Sequence, residues 1–267
     1  MTMAWIRRHL LLFAALAVLF YMLIPNVVVA LFSFNNPKGR YNYTWTEFST
    51  DAWLNPCGAP GICDSLGLSL RIGLIASLTA TALGAMVAFA LGRYRFRGRS
   101  GTNLLIFMPM ATPEVVMGSS LLTLFLMMGL PSGQLAITIA HIMFCISFVV
   151  VAVKARVATL DPRLEEAAAD LGANPVQTFA RVTFPLAFPG ILAGALLAFS
   201  LSFDDYIITN FNASPSSITF PMYVWGAAQR GAPVQVNVIG TMMFLIALVV
   251  VVIGQVLSAR RERSRAG

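Results

Sequence analysis

Six long apolar runs, separated by polar and charged stretches, organise this chain: about residues 10–34, 67–91, 104–128, 134–153, 186–203 and 236–257. A helix needs about 20 mostly apolar residues to cross about 30 Å of hydrocarbon, and it must satisfy its own backbone there. The pattern therefore predicts an all-α membrane protein, a single transmembrane domain over residues 1–267 with six spans. The first run exceeds the roughly 7–15 apolar residues of a signal-peptide core, and no convincing small-residue cleavage site follows, so it is read as a retained helix.

Three breaks between the runs are longer than turns. Residues 35–66 are rich in Asn, Pro and Gly and carry Tyr41, Tyr43, Trp45 and Trp53, which are read as interfacial anchors. Residues 204–235 form a second break. Residues 155–185 form the third and predict two short helices with a sharp joint. Asp161 can cap the first helix, with Pro162 at its first position, where a missing N–H costs nothing. Leu164, Ala167, Ala168 and Leu171 recur on one face, while Arg163, Glu165, Glu166 and Asp170 occupy others. Gly172 ends that helix, and Asn174, Pro175 and Gln177 supply a second cap with a capping-box partner. The second helix is expected to stop near Phe184 and Pro185. A half-apolar helix pair over 161–185, at the end of a membrane bundle, is a docking surface for a soluble partner.

Charge gives the orientation. Only 11% of residues are charged, against about 25% in soluble proteins. Arg7 and Arg8, Arg93 to Arg99, Lys154, Arg156, Arg163 and Arg181, and Arg260 to Arg265 fall on one side of a six-span topology; Lys38, Arg40, Arg71 and Arg230 fall on the other. Positive charge near helix ends is retained in the cytoplasm, so both termini and the helix pair between spans 4 and 5 are expected there. The net charge of +7 then needs no nucleic acid as its explanation. Arg7 and Arg8 are read as a topology anchor rather than a twin-arginine signal.

Cys57 and Cys63 bracket a turn-rich segment on the external side, where disulfides persist; a bridge is expected, with two free thiols as the alternative. No His accompanies them, which argues against zinc. Cys145, inside the fourth run, reads as a small apolar core residue. His9 and His141 are too few and scattered for metal or triad chemistry, and His141 is read as a satisfied structural histidine. No P-loop pattern is present, so no catalytic site, metal or cofactor is expected in this chain.

The third break carries a recognisable motif: Glu166-Ala167-Ala168, then Gly172, Val182, Phe184 and Pro185. It resembles the motif of permeases of ATP-binding-cassette importers, in which Glu-Ala-Ala is followed after three residues by Gly, then after nine by Ile and by Leu-Pro. Val182 stands for Ile and Phe184 for Leu, both still apolar. The resemblance implies that Glu166, Ala167, Ala168, Gly172, Val182 and Pro185 couple to a nucleotide-hydrolysing subunit that binds the ATP and Mg. It also implies two copies of that ATPase, a second homologous permease, an extracytoplasmic binding protein and a location in the bacterial inner membrane. Residues 113–122, 202–210 and 219–222 resemble the spermidine/putrescine branch of these importers.

Intramembrane acids are costly and by default mark a pathway or a buried pair. Glu114, beside Pro109 and Pro113, is expected about 15 Å into the third span and facing a pore. Asp204 and Asp205, with Tyr206, would attract cations at the external end of the fifth span. Tyr223 and Trp225 add the aromatic faces that an elongated ammonium compound needs. Another small cationic or metal-complex solute is the alternative substrate. An ion-coupled secondary transporter is a remote alternative, since such proteins also carry midplane acids and broken helices.

Overall fold

The computed structural model describes residues 2–266, with side-chain surroundings for residues 9–255. It is built from α1 (Thr2–Phe32), α2 (Asp51–Leu54), α3 (Ile62–Arg93), α4 (Arg99–Ala111), α5 (Glu114–Met127), α6 (Gln134–Ala158), α7 (Arg163–Asp170), α8 (Pro175–Thr178), a π-helical turn (Phe179–Thr183), α9 (Phe184–Asp204), α10 (Ile207–Asn212), α11 (Phe220–Arg230) and α12 (Val234–Ala266). Among the described residues the sole β feature is an isolated bridge between Asn35 and Phe48. The side chains of Arg7, Arg8, Arg260, Arg261, Arg263 and Arg265, which the expected topology uses, lie outside the described set.

Among the described residues, five helical stretches are long and apolar enough to cross a membrane: His9–Phe32, Ile62–Arg93, Gln134–Ala158, Pro175–Asp204 and Val234–Gln255. The sixth candidate differs from the expected straight span. The run 104–128 is split into α4 and α5, which meet at 106°. Proline disfavours a helical conformation in the residue before it, and Thr112, preceding Pro113, is extended at φ −79°, ψ 132°. The Thr112 amide and hydroxyl both donate to the Met108 carbonyl, at 3.0 and 2.7 Å, closing α4 before the turn.

The fifth span also departs from expectation. The second helix of the pair does not stop at Pro185; α8, the π turn and α9 run on as one stretch from Pro175 to Asp204. A proline inside an α-helix orphans the carbonyl four residues back and crowds it. Here the ladder shifts to π spacing just before Pro185, with the Phe184 amide donating to Phe179 O.

The chain divides into two compact units, residues 64–223 and residues 1–63 with 224–267. In the first, α6 is the central element. Ala136, Ala140, Cys145, Val149, Val153 and Val157 are buried on it, against Ala80, Ala88 and Leu91 of α3 and Ala187, Ile191 and Ala198 of α9. Apart from Leu91 these are small or β-branched side chains, which let helix backbones approach where lipid supplies no hydrophobic force between helices. A Cβ added to Gly84 of α3 would lie 2.8 Å from Val149 Cγ1.

In the second unit, α1 packs on α12. The loop between α1 and α2 is organised by buried Asn35. Its Nδ2 donates to Asn42 Oδ1 (2.6 Å) and Thr44 O (2.9 Å), and its Oδ1 accepts from the Thr46 amide (2.8 Å). Phe34 stacks between Phe48 and Trp53, and Trp53 Nε1 donates to Ser33 Oγ. The Tyr41 and Tyr43 hydroxyls donate to the carbonyls of Gln229 and Ala228, in the last turn of α11, where helix carbonyls lack internal partners. Cys57 and Cys63 are joined in a disulfide, with Cα atoms 5.4 Å apart.

Gly84→Leu is expected to lower the unfolding midpoint of the detergent-solubilised protein, the overpacking costing about 1–3 kcal/mol. An unchanged midpoint would contradict the close seam between α3 and α6.

Candidate functional site

The segment 161–185 folds as a helix pair around a glycine joint. Asp161 Oδ1 accepts from the Arg163 amide at 3.0 Å and starts α7. At its other end Gly172 takes φ +80°, a left-handed conformation that costs a side-chain-bearing residue about 1–2 kcal/mol. The Ala173 amide reaches back to Ala168 O, and Gly172 N–H to Ala169 O, which satisfies the terminal carbonyls. Asn174 and Gln177 exchange side-chain and backbone hydrogen bonds at 2.9 and 3.0 Å, a complete capping box.

Neither α7 nor α8 buries a residue. The apolar stripe of α7 points outward: Leu164 is 46% exposed and Leu171 89%, with Val176 of α8 at 77%. Glu166 and Ala167 are exposed, Ala168 and Val182 are half-buried, and Gly172 and Pro185 are exposed. Glu165, one residue from Glu166, is turned inward instead. Its Oε1 lies 3.0 Å from Arg93 Nη2 at the end of α3 and accepts from the buried Thr183 hydroxyl at 2.9 Å. Phe179 of the π turn meets Phe89, one turn before Arg93 on α3, edge to face at 5.3 Å. Sequence reasoning missed Glu165, Arg93 and Thr183 as a group. The only available signal was an arginine closing an apolar span and an acid on the helix pair.

At the other end of α9, the adjacent acids Asp204 and Asp205 separate. Asp204 is exposed. The Asp205 side chain is 5% exposed and faces the interior, so it does not stand at an open cation entrance. Its Oδ2 accepts from the Thr209 amide (2.7 Å) and hydroxyl (2.8 Å), and its Oδ1 from the Ile208 amide (3.3 Å), capping α10. Asp205 Oδ2 also lies 3.3 Å from His141 Nε2. His141, buried on α6, places Nδ1 2.7 Å from Ser202 Oγ and Nε2 3.0 Å from Thr209 Oγ1. With Nε2–H facing the acid, the Ser202 hydroxyl completes the ring's hydrogen bonding at Nδ1, as donor to a neutral ring or acceptor from a charged one. Burial by itself pushes the Asp205 carboxyl up. The hydrogen bond and charge of His141, together with the Thr209 donors, outweigh it and hold the carboxyl below its ordinary value.

The other path residues are spread over separate elements. Glu114 opens α5 and is exposed. It sits at the break rather than in mid-helix, where the unpaired amides of a helix start favour a negative charge. One turn further along α5, a Cβ on Gly118 would lie 2.8 Å from Phe211 Cδ2, so α10 rests directly on that helix. Tyr206 is half-buried after α9; on α11, Tyr223 is half-buried and Trp225 is 55% exposed.

The family described as "Binding-protein-dependent transport system inner membrane component" matches residues 80–263. The spermidine/putrescine transport system permease protein PotC of Escherichia coli (strain K12) is 32% identical over 251 residues, 94% of this chain and 94% of the relative. The putrescine transport system permease protein PotI of the same strain is 35% identical over 252 residues, 92% of this chain and 89% of the relative. Among solved structures, a bacterial ABC transporter involved in the import of the acidic polysaccharide alginate aligns with a TM-score of 0.66 at 19% identity, over 94% of this chain and 96% of that chain. A bacterial alginate ABC transporter in complex with alginate pentasaccharide-bound periplasmic protein gives 0.68 at 15% identity, over 97% of each. At these identities the structural likeness is one of fold.

Because its folded-state value is lowered, the Asp205 carboxylate stabilises the fold fully above the unfolded value of about 3.9 and loses that contribution as pH falls through the lowered one. Asp205→Asn is expected to cost about 1–3 kcal/mol at neutral pH. It should also flatten the acid limb of the unfolding midpoint measured from pH 7 to pH 3. Parallel curves for the two proteins would contradict this assignment.

Proposed function

The chain belongs to the family of binding-protein-dependent transport system inner membrane components, and on that premise we propose that it is the permease through which an ATP-driven importer carries polyamines into the cytoplasm. It is a multi-pass component of the bacterial inner membrane and a transport subunit rather than an enzyme. In this reading both termini and the helix pair 161–185 face the cytoplasm, where basic residues accumulate. A second, similar permease completes the pathway, two copies of an ATPase bind ATP and Mg, and a binding protein delivers the solute.

The observation that carries the reading is the helix pair itself. It leaves Leu171, Val176 and Glu166 exposed while its joint and caps are fully formed. Exposed apolar side chains on a rigid, polar-rimmed element suit a protein partner better than water. Val182 and Pro185 lie where the pair becomes the fifth span, so a push on the pair has a continuous helix to act through.

The polyamine substrate rests on the named relatives, and on Glu114 and Asp204, the acids left exposed once Asp205 is committed to His141 and α10. Exposed carboxylates raise the local concentration of cations. Tyr206 and Tyr223 supply aromatic faces for the same ligand.

Vesicles holding this chain with its copurifying permease, ATPase and binding protein are expected to take up labelled spermidine or putrescine only with ATP and the binding protein. ATP hydrolysis without polyamine uptake would keep the importer and discard the substrate. Gly172→Asp is expected to leave insertion and abundance unchanged and to abolish uptake; normal uptake would refute the coupling role of the joint. Glu114→Gln with Asp204→Asn should impair polyamine transport without impairing assembly, and unchanged uptake would remove both acids from the path.

A further inference from the structure

Arg93 is the last residue of α3, and its side chain is 18% exposed. Its Nη2 meets Glu165 at 3.0 Å, its Nη1 reaches Leu160 O only at 3.5 Å, and its buried Nε has no hydrogen-bond partner among the described residues. Glu165 is therefore the principal compensation for a largely desolvated guanidinium. The same carboxylate oxygen holds Thr183, which is 5% exposed on the π turn that leads into α9. One acid on α7 thus ties together the end of one span and the beginning of another. Phe89 lies one turn before Arg93, on the same face of α3. Its contact with Phe179 supports the second half of the helix pair from the same side.

This arrangement has a mechanical consequence. A helix pair attached only through its own chain would transmit a push to α9, its direct continuation, and to α6 through the short connection 159–162, but not to α3. With Glu165 bonded to Arg93, a displacement of α7 also loads α3, and α3 and α9 both pack on α6. We propose that Glu165 is a positioning residue which, with Arg93 and Thr183, clamps the helix pair to α3 and α9 so that a displacement imposed on it moves these spans together. The outward Glu166 has no such tie and remains for the partner. The clamp rests on the importer reading above, since it acts only if a partner drives the helix pair.

The reconstituted transporter, with both permeases, the ATPase and the binding protein, tests it through polyamine imported per ATP hydrolysed. Glu165→Gln keeps an oxygen for Thr183 but removes the charge, and Arg93→Gln removes the other partner. Each is expected to lower the ratio about five-fold or more while the ATPase still copurifies in normal amount. Thr183→Val should lower it about two-fold. The exchange Arg93→Glu with Glu165→Arg is expected to recover at least half of the wild-type ratio, which a general loss of stability would not permit.

Wild-type ratios in the single variants, or an exchange no better than either of them, would overturn the clamp. If Arg93→Gln fails to accumulate, wild-type ratios in both Glu165→Gln and Thr183→Val overturn it by themselves. A wild-type complex without ATP-driven uptake would instead refute the importer reading and the clamp with it, so the two failures are distinct.

Discussion

Hydrocarbon offers no water to a backbone amide or carbonyl, so every interruption of a helix in this chain must be satisfied from within the protein. Three breaks among the described residues show how. Thr112 closes α4 with its own hydroxyl and amide before the turn into α5. The proline at 185 is met by a π turn instead of an end to the helix. Past α9, the Asp205 carboxylate takes the first free amides of α10. The departures from six simple spans occur where a polar side chain or an altered ladder can do this work.

Two pairs of adjacent acids divide into structural and available members. Glu165 is drawn to Arg93 and Thr183 while Glu166 stays exposed; Asp205 is drawn to His141 and Thr209 while Asp204 stays exposed. On α7 consecutive side chains leave the axis about 100° apart, and past the end of α9 the backbone turns extended at Asp205 (φ −65°, ψ 125°), so neighbours in sequence face different surroundings. In each pair the inward acid has a buried or half-buried cationic or histidine partner to offset its desolvation. The outward acid carries no such obligation and is left for whatever the protein meets.

The fold extends well beyond the polyamine relatives. Transporters of an acidic polysaccharide align over nearly the whole chain at 15–19% identity. A scaffold that recurs beside solutes of opposite charge cannot by itself specify a cationic one. Substrate preference then has to come from individual groups or from whatever delivers the solute, not from the scaffold.

Much was legible in the sequence, because lipid and helix chemistry impose local rules. The apolar runs located the spans, and Gly172, Asn174 and Gln177 announced the joint and its cap. The spacing from Glu166 to Pro185 pointed to the family. The 106° bend at Pro113 and the passage of the helix through Pro185 were not legible, since proline signals an interruption without saying how the freed backbone is satisfied. Nor was the choice between Glu165 and Glu166, or between Asp204 and Asp205. Those outcomes depend on partners 72 and 64 residues away, Arg93 and His141, and only packing α3 and α6 against α7, α9 and α10 brings these groups within hydrogen-bonding distance. Periodicity in the chain dictates which faces are apolar; which neighbouring charge lies inside is decided by the tertiary structure, because desolvation makes an inward charge affordable only beside its partner.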